Sequence, residues 1–461
     1  MTQQGVRWTA DQVLALAPDA PSRKAGSKLG VAGPWSEAGG SGEGMVWGLC
    51  KGSGSKPYQT VVDVADVAGP AYKCSCPSRK FPCKHALGLL LLWAGQDGSV
   101  PDAGTPPDWA EEWAEGRRKR AQAKRAADSD SGGRPSADPE AARRRADRRA
   151  ERVTAGAGEL EQRLTDLLRG GLASAEQAGY GMWEETAARM VDAQAPGLAA
   201  RVRELGAIPA SGPGWPVRLL EECALLHLLD QGWLRRDGLP AGLAATVRSR
   251  VGLPASADGQ PTRDRWLVLS QHDTADTRLT TRRIWLYGTE SGRTALLLSY
   301  GAAGRAPALS LPVGLALDAE LSAYAGDGQL RADLGEQFAA PAPSSARPKG
   351  VGVAEAAARY GDALTQDPWL ESWPVTLSRV IPGPGGEGER ANGWQLADSD
   401  DDLTQRLALP LTPKATSGPG LWRLAALSGG APVTVFGECG HRGFTPLTAW
   451  PEGPGDPVTL C

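Results

Sequence analysis

The spacing of apolar residues divides the chain into a helical middle part and a β-rich C-terminal part. In ELEQRLTDLLRGGL, the four residues Leu160, Leu164, Leu167 and Leu168 fall three and four positions apart and share one helical face. The segments MWEETAARMVDA, PGLAARVREL and WPVRLLEECALLHLLDQGWL continue this period. We therefore predict a helical bundle over residues 155–255.

After residue 262 the apolar period falls to two, which is typical of strands. RWLVLSQHD, RRIWLYG and RTALLLSYG predict three strands, and TESG predicts a hairpin turn between the last two. Five further segments predict strands, namely PVTLSRVIPG, GWQLAD, TQRLALPL, LWRLAAL and PVTVFGEC, whereas VAEAAARYGDALT predicts a helix. Residues 263–461 are thus expected to form a β-rich α+β region.

The N-terminal part begins with a capping-box pattern, in which Thr9 precedes a short helix and Gln12 can reach back to it. A glycine-rich passage follows. QTVVDVADV then alternates and is rich in β-branched residues, and GPAYKCSC is its predicted hairpin partner. The next helix, ALGLLLLW, is apolar on nearly all faces, so we expect it to be buried inside the protein rather than against a partner.

The segment that joins the N-terminal part to the bundle is charged and poor in large apolar side chains. Residues 117–152 contain 13 basic and 6 acidic residues. Such a segment buries too little apolar surface to offset the entropy of ordering. We therefore predict a disordered basic linker over residues 96–154, whose charged part is disordered or transiently helical. This part acts either as a nonspecific nucleic-acid anchor or only as a solvated connection.

These patterns together predict an α+β multidomain protein with a small ββα unit, a central helical bundle and a β-rich C-terminal region. A chain of 461 residues exceeds one ordinary hydrophobic core. The predicted domains are residues 1–95 with the ββα core at 59–93, then 96–154, 155–255 and 263–461.

Composition and charge narrow the possible functions. With 50 basic and 53 acidic residues, the chain has no overall charge that marks a nucleic-acid binder. The N-terminus lacks the pattern of a signal peptide, and the run LLLLWA is far shorter than the ~20 residues of a membrane span. We expect a cytoplasmic protein without a membrane segment.

The cysteines supply the strongest chemical signal. Four of the seven are scattered singly, whereas Cys74, Cys76 and Cys83 lie close to His85 in KCSCPSRKFPCKH. Cys74 and Cys76 are two positions apart at the end of a predicted strand. Because side chains of a strand alternate between its faces, the two sulfurs project to the same side. Cys83 and His85 can meet the same ion only if they lie at the junction between the loop and the helix.

Three thiolates and one imidazole form a closed tetrahedral donor set, which zinc prefers in structural sites. Tetrahedral iron is the second metal that fits, and a redox or disulfide role for the thiols is the alternative without a metal. We predict one structural Zn²⁺ held by Cys74, Cys76, Cys83 and His85, which makes the ββα unit at 59–93 a small zinc finger.

The pattern Cys-x-Cys, a six-residue spacer and Cys-x-His, on a strand–strand–helix frame, resembles the SWIM-type zinc finger. Cys74, Cys76, Cys83 and His85 match its four ligand positions. The layout of the chain is also similar to bacterial SWIM-containing proteins, which are often encoded beside MoxR-type AAA ATPases and von Willebrand A proteins. The resemblance implies binding to DNA or to protein partners, and a connection with such an ATPase system.

Basic residues flank the predicted zinc site, and the segment 67–96 has no carboxylate. Such a surface suits phosphate backbones or an acidic protein face. The alternative is that these cations mainly stabilise the anionic zinc–thiolate centre. The residues that we expect to contact a partner are Lys73, Arg79, Lys80 and Lys84.

Familiar catalytic motifs are missing from the sequence, including the P-loop, His-Glu-x-x-His and Gly-x-Ser-x-Gly. His227 is predicted to be a core histidine and His272 to lie in a surface turn. We therefore expect a non-enzymatic zinc-binding adaptor. The alternative is an enzyme, or an accessory to one, whose site lies in the C-terminal β-rich region.

Overall fold

A computed structural model of the chain describes all residues except 1–6, 43, 53, 66–69, 79, 96–97, 103, 131–138, 256, 258, 277–278, 303–305, 327, 386–392 and 400–406. Within the described part, the chain forms an N-terminal four-stranded sheet, a helical bundle and two six-stranded sheets. This arrangement confirms the predicted α+β fold class.

The N-terminal part consists of a meander sheet covered by three helices. Its elements are α1 Ala10–Leu14, α2 Ala20–Ser27, β1 Trp35–Gly40, β2 Met45–Cys50, β3 Tyr58–Asp63, β4 Ala71–Cys74 and α3 Lys84–Ala94. The strands pair antiparallel in the order β1-β2-β3-β4, which we call the finger sheet. The residue pattern predicted only β3 and β4, because the first two strands lie in the glycine-rich passage. There Gly39 makes room for Trp47, whose Cζ2 would lie 2.8 Å from an added Cβ.

Two helices occupy described parts of residues 96–154. The prediction that this linker is disordered is therefore corrected for those parts. They are α4 Asp108–Asp130 and α5 Pro139–Gly170. Their alanine, arginine and glutamate residues have high helix propensity. The prediction of disorder considered only the lack of large apolar side chains. Packing also orders both ends of the segment, since Trp113 of α4 is buried on the finger sheet and Val153 of α5 is buried in the bundle.

The helical bundle begins with the second half of α5. It continues through α6 Ala173–Asp192, α7 Pro196–Ala207, α8 Trp215–Leu234 and α9 Ala241–Arg250. The helices enclose a core that contains Leu160, Leu198, Leu226 and Trp233. The described helix α5 starts earlier than the bundle boundary predicted at residue 155.

The C-terminal region starts with a six-stranded sheet, which we call the first C-terminal sheet. Its strands are β5 Thr262–Ala275, β6 Leu279–Gly288, β7 Thr294–Ala302, β8 Leu315–Ala323, β9 Ala332–Gln337 and β10 Ala342–Pro343. The strand order is β10-β8-β5-β6-β7, and β9 pairs with β8. The predicted TESG hairpin turn is present, and the Gly288 amide donates to the Arg293 carbonyl across it at 2.8 Å.

The second C-terminal sheet has the order β13-β12-β11-β14-β15-β16 and is accompanied by three helices. Its elements are α10 Val353–Gln366, β11 Ser372–Pro384, β12 Trp394–Asp398, β13 Ala408–Pro410, α11 Pro413–Ser417, α12 Gly420–Ser428, β14 Val433–Gly440, β15 Gly443–Pro451 and β16 Val458–Thr459. The strand predicted for LWRLAAL was wrong, because this segment forms α12. Its buried residues Leu421 and Leu424 follow a helical period.

The first C-terminal sheet lies between the finger and the second C-terminal sheet. Alternate residues of β5 face opposite ways: Trp266 and Val268 share a core with α3, whereas Leu267 and Leu269 pack with Phe436 of β14. The apolar helix α3 is therefore buried within the chain, as expected. The finger's core extends to strands that lie far away in sequence.

Membrane insertion of a helix finds no support in the described residues. None of their helices is both long enough and apolar enough to cross a bilayer.

Candidate zinc centre

The finger sheet presents the two N-terminal cysteines to α3. In the β3–β4 pair, Thr60 lies opposite Cys74 and Val62 lies opposite Tyr72. Val62, Tyr72 and Cys74 all pack in the core that contains α3, so they share that face of the sheet. The Ser75 amide donates to the Gln59 carbonyl at 3.0 Å and continues the pairing by one residue beyond Cys74.

The first turn of α3 presents the other two donors. Cys83 is the N-cap residue, with extended backbone angles of φ −75° and ψ 167°, and His85 lies in the first helical turn. The break between loop and helix turns both side chains towards the same point, although residues two apart inside a helix would diverge. The expected position at the junction is confirmed.

The four donor atoms form a compact cluster. The sulfurs of Cys74, Cys76 and Cys83 and a ring nitrogen of His85 all lie within 4.8 Å of one another. The Sγ of Cys74 and the Nδ1 of His85 are 3.6 Å apart. Tetrahedral zinc, with Zn–S near 2.3 Å and Zn–N near 2.05 Å, requires a separation of about 3.6 Å between such atoms. The donor set therefore fits Zn²⁺.

Neighbouring side chains support these ligands. The hydroxyl oxygen of Thr60 lies 3.3 Å from the Cys74 sulfur. The ring of Tyr58 stacks on the His85 imidazole, with centroids 4.8 Å apart and planes tilted by 34°. Cys83 and His85 are buried, whereas Cys74 and Cys76 are half-buried. Four protein donors in a closed shell leave no open coordination position, as in structural zinc sites.

The thiols share their protons unequally in the absence of a metal ion. A hydrogen bond from Cys83 lowers the pKa of Cys74, and the same bond raises the pKa of Cys83. Burial raises the pKa of Cys76. Zinc binds thiolates, so metal binding must displace the protons that Cys76 and Cys83 retain.

The remaining cysteines do not join the four donors. Cys50 is buried in β2, and its pKa is raised by burial and then by the charge on Cys74. Cys439 is buried in the second C-terminal sheet, and His441, two residues later, has its Nδ1 3.3 Å from the Tyr360 hydroxyl. All seven cysteines lie in the described part of the chain and none forms a disulfide.

The predicted basic contacts differ in their surroundings. Lys73 and Lys84 are exposed. The Nζ of Lys80 lies 2.5 Å from Oδ2 of Asp19, which is the N-cap residue of α2, and this bond lowers the pKa of Asp19 to about 2. Arg79 lies outside the described residues. Asp19 offsets part of the positive charge because α2 folds onto the finger.

Sequence reasoning missed three residues that contribute to the centre, namely Tyr58, Thr60 and Asp19. The strand register places Thr60 beside Cys74. The predicted hairpin implied that a residue of β3 would lie opposite Cys74, but it did not fix the register. Asp19 is 61 residues away from Lys80. Its N-cap position before APSRKAGS was visible in the sequence, but its contact with the finger was not.

Comparison with known proteins agrees with this geometry. Residues 61–94 match the SWIM zinc finger family model, and residues 148–251 match the model of the SWIM-associated four-helix bundle domain. Neither the curated proteins nor the solved structures contain a match. The finger match and the four-donor cluster fit a single structural Zn²⁺. The chain therefore contains a SWIM zinc finger, followed by the SWIM-associated four-helix bundle domain.

Proposed function

We propose that the protein is a non-enzymatic adaptor that binds DNA or a protein partner through a basic surface beside the zinc centre. The observation that carries the proposal is the position of Lys73. It lies opposite Val61 in the finger sheet, on the face away from α3. On this face Val61 and Ala71 pack with Trp113 of α4.

Helix α4 supplies further positive charge on the same side of the finger. After Trp113 its sequence continues as AEGRRKR, and the side chains of Arg118, Lys119 and Arg120 are exposed. The pKa of Asp63, at the end of β3, is raised by burial and partly lowered again by the charges of Arg117 and Arg118. The basic residues 117–120 of α4 therefore lie close to the finger sheet. We call Lys73 and residues 118–120 the finger basic surface.

The arrangement of the zinc centre supports a structural role rather than a catalytic one. Its closed donor set leaves no position for a substrate or an activated water molecule. A bound zinc ion would join the end of β4 to the start of α3, which bear Lys73 and Lys84. Lysines and arginines on a rigid frame suit a phosphate backbone.

The test is a binding titration with the full-length, zinc-loaded chain and a fluorescent DNA duplex at several salt concentrations. We expect saturable binding that weakens as salt rises. Replacing Lys73 and Lys119 with glutamine should weaken binding and reduce the slope of log K against log salt by about two, because two phosphate contacts are lost. Zinc content should stay unchanged.

The matched control replaces two exposed lysines of the C-terminal region, Lys349→Gln and Lys414→Gln. It removes the same charge and should leave binding unaltered. Equal loss in both double variants would show that net charge alone governs binding. If the chain does not bind DNA even at low salt, the DNA part of the proposal fails and a protein partner is left.

For a protein partner, the family resemblance points to an AAA-type ATPase or a von Willebrand A protein. Such a partner would present acidic residues to the finger basic surface. Co-purification from the native host, with and without a zinc chelator, tests this part. Recovery of the same partner in both samples would contradict a role for the zinc-ordered finger.

A further inference from the structure

A cleft lies where the bundle and the two C-terminal sheets meet. Its volume is 650 Å³, and helices α7 and α9, strands β6 and β7 and the segment 367–374 line it. Ligand sites of proteins commonly measure about 300–1,000 Å³. The cleft is far from the zinc centre in sequence, and no residue of the finger contributes to it.

Polar groups that are paired with one another hold the walls of the cleft in place. Arg250 of α9 forms an ion pair with Asp367, whose carboxylate is almost fully buried, and the Arg250 Nε lies 3.1 Å from Oδ2. Glu438 accepts hydrogen bonds from Trp285 Nε1 at 3.1 Å and from the Ser372 hydroxyl at 3.3 Å. These pairs join the bundle and the two sheets, so the cleft is formed before any ligand arrives.

Three other charged side chains face the cleft without such partners. Arg201 and Glu204 belong to α7, and Glu371 precedes β11. Among the described residues, none of their side chains has a hydrogen bond or an ion pair within 4 Å. A second cavity of 230 Å³ is lined by the same three residues, which therefore lie between the two cavities.

The half-buried Arg201 is the most informative of the three. Burial and the neighbouring charge of Arg250 lower its pKa. A guanidinium group has five donors, and it pairs best with a planar carboxylate through two parallel hydrogen bonds. The carboxylates of Glu204 and Glu371 act on Arg201 electrostatically without closing an ion pair. They would repel a multiply charged anion such as phosphate and attract an ammonium group.

We propose that the cleft binds a short peptide, whose C-terminal carboxylate pairs with Arg201 and whose ammonium groups reach Glu204 and Glu371. The lining also includes the apolar side chains of Leu298 and Trp373, which suit aliphatic side chains. The volume exceeds that of a single amino acid and admits a peptide of a few residues. The ligand class follows from Arg201 and the two carboxylates, which have no ion-pair partner among the described residues, and from the apolar side chains in the lining. Arg331, which also lines the cleft, donates to the Tyr324 hydroxyl at 3.1 Å.

The test is calorimetric titration of the full-length, zinc-loaded chain with the tripeptide Lys-Leu-Leu, both as the free acid and as its C-terminal amide. The free acid should bind at least about tenfold more tightly, because only the acid offers a carboxylate to Arg201. In Arg201→Gln the two peptides should bind equally weakly. In Arg203→Gln the preference should be kept, because Arg203 is exposed and pairs with Glu184 at 3.0 Å.

Three results would overturn the proposal. The first is no binding of a panel of free-acid tripeptides at millimolar concentration. The second is equal affinity for acid and amide with the unmodified chain, a comparison that does not depend on the folding of any variant. The third is binding of acetate or inorganic phosphate as tightly as the tripeptide, which would indicate a simple anion site.

Discussion

At the scale of single residues, the zinc centre depends on a change of backbone conformation at Cys83. An extended N-cap followed by a helical turn brings a sulfur and an imidazole two positions apart to one point. On the other side, Cys74 ends β4, and Cys76 lies two residues later with its sulfur within 4.8 Å of the other donors. Both halves of the donor set thus use local geometry that the residue spacing encodes.

We expect Cys83→Ala to reduce the zinc content from about one ion per chain to nearly none, because a closed structural site needs all four donors. Metal analysis of the purified protein checks this. Cys439→Ala is the matched control, since Cys439 also precedes a histidine by two residues but is buried in the second C-terminal sheet. Full zinc occupancy in Cys83→Ala would contradict the assignment of the ligands.

A second prediction concerns Asp230 of α8, which is fully buried in the bundle and has no hydrogen-bond partner for either oxygen. Burial, and then the charge of Glu161, raise the pKa of Asp230 to about 9. Between about pH 4 and pH 9 the folded chain therefore binds a proton that the unfolded chain has released. Its free energy of unfolding should fall with rising pH, by up to about 1.4 kcal/mol per pH unit.

Asp230→Asn removes this titration, so the variant should gain stability over the unmodified chain as the pH rises towards 9. Urea unfolding between pH 5 and pH 9 measures the difference. Asp237→Asn changes an exposed carboxylate just after the same helix and should leave the pH dependence as it was. A constant difference between Asp230→Asn and the unmodified chain would show that the buried carboxyl does not hold its proton.

The sequence allowed the four zinc ligands to be predicted because their chemistry is specific and their spacing local. It did not reveal Asp19 beside Lys80, since that contact depends on how α2 folds against the finger. The same limit applies to Arg201 and Glu371, which come from separate segments and meet only in the cleft. Contacts across long sequence separations carry no short-range signal.

At the scale of elements, α2 and α3 pack closely because glycine lies at their contact. A Cβ added at Gly88 would lie 2.5 Å from the Cβ of Leu29, just after α2. Gly26 of α2 approaches Leu87 in the same way, at 2.7 Å. The helix that begins with two zinc ligands is thus held from behind by close backbone packing.

Gly88→Ala should therefore destabilise the protein by about 1–3 kcal/mol, although alanine has the higher helix propensity. Gly158→Ala is the control, since Gly158 is exposed in α5 and an added Cβ meets nothing within 4 Å. That change should stabilise by up to about 1 kcal/mol. Chemical denaturation measures both values, and a stabilising Gly88→Ala would refute the close contact.

Helices α12 and α4 show why some elements were predicted wrongly. LWRLAAL has too few residues to separate a period of two from one of three or four, and burial of Leu421 and Leu424 selects the helix. For α4, composition indicated disorder, yet Trp113 on the finger sheet supplies the apolar contact that orders its first half. Tertiary packing decides such segments.

At the scale of the whole molecule, the finger and the first C-terminal sheet share one hydrophobic core. Leu87 and Leu90 of α3 lie in the same cluster as Trp266, Ile284 and Leu286. The bundle has a separate core, which includes Trp233 but no residue of the finger. Zinc binding should therefore stabilise the first C-terminal sheet more than the bundle.

Removal of zinc by a chelator should increase amide hydrogen exchange in α3 and also in β5 and β6. Helices α7 and α8 should keep their protection, because their core does not include the finger. Hydrogen-exchange mass spectrometry locates the change, and added zinc should reverse it. Faster exchange confined to residues 58–94 would contradict the shared core.

The shared core also determines which pieces of the polypeptide can be studied or transplanted. The family match to the finger ends at residue 94, whereas the hydrophobic cluster that contains the α3 side chains extends to Ala332 of β9. A fragment cut at the homology boundary would expose a leucine-rich helix to water and would be prone to aggregation. Any excised or grafted finger needs β5 to β9 alongside it, or substitutions that make the outer face of α3 polar.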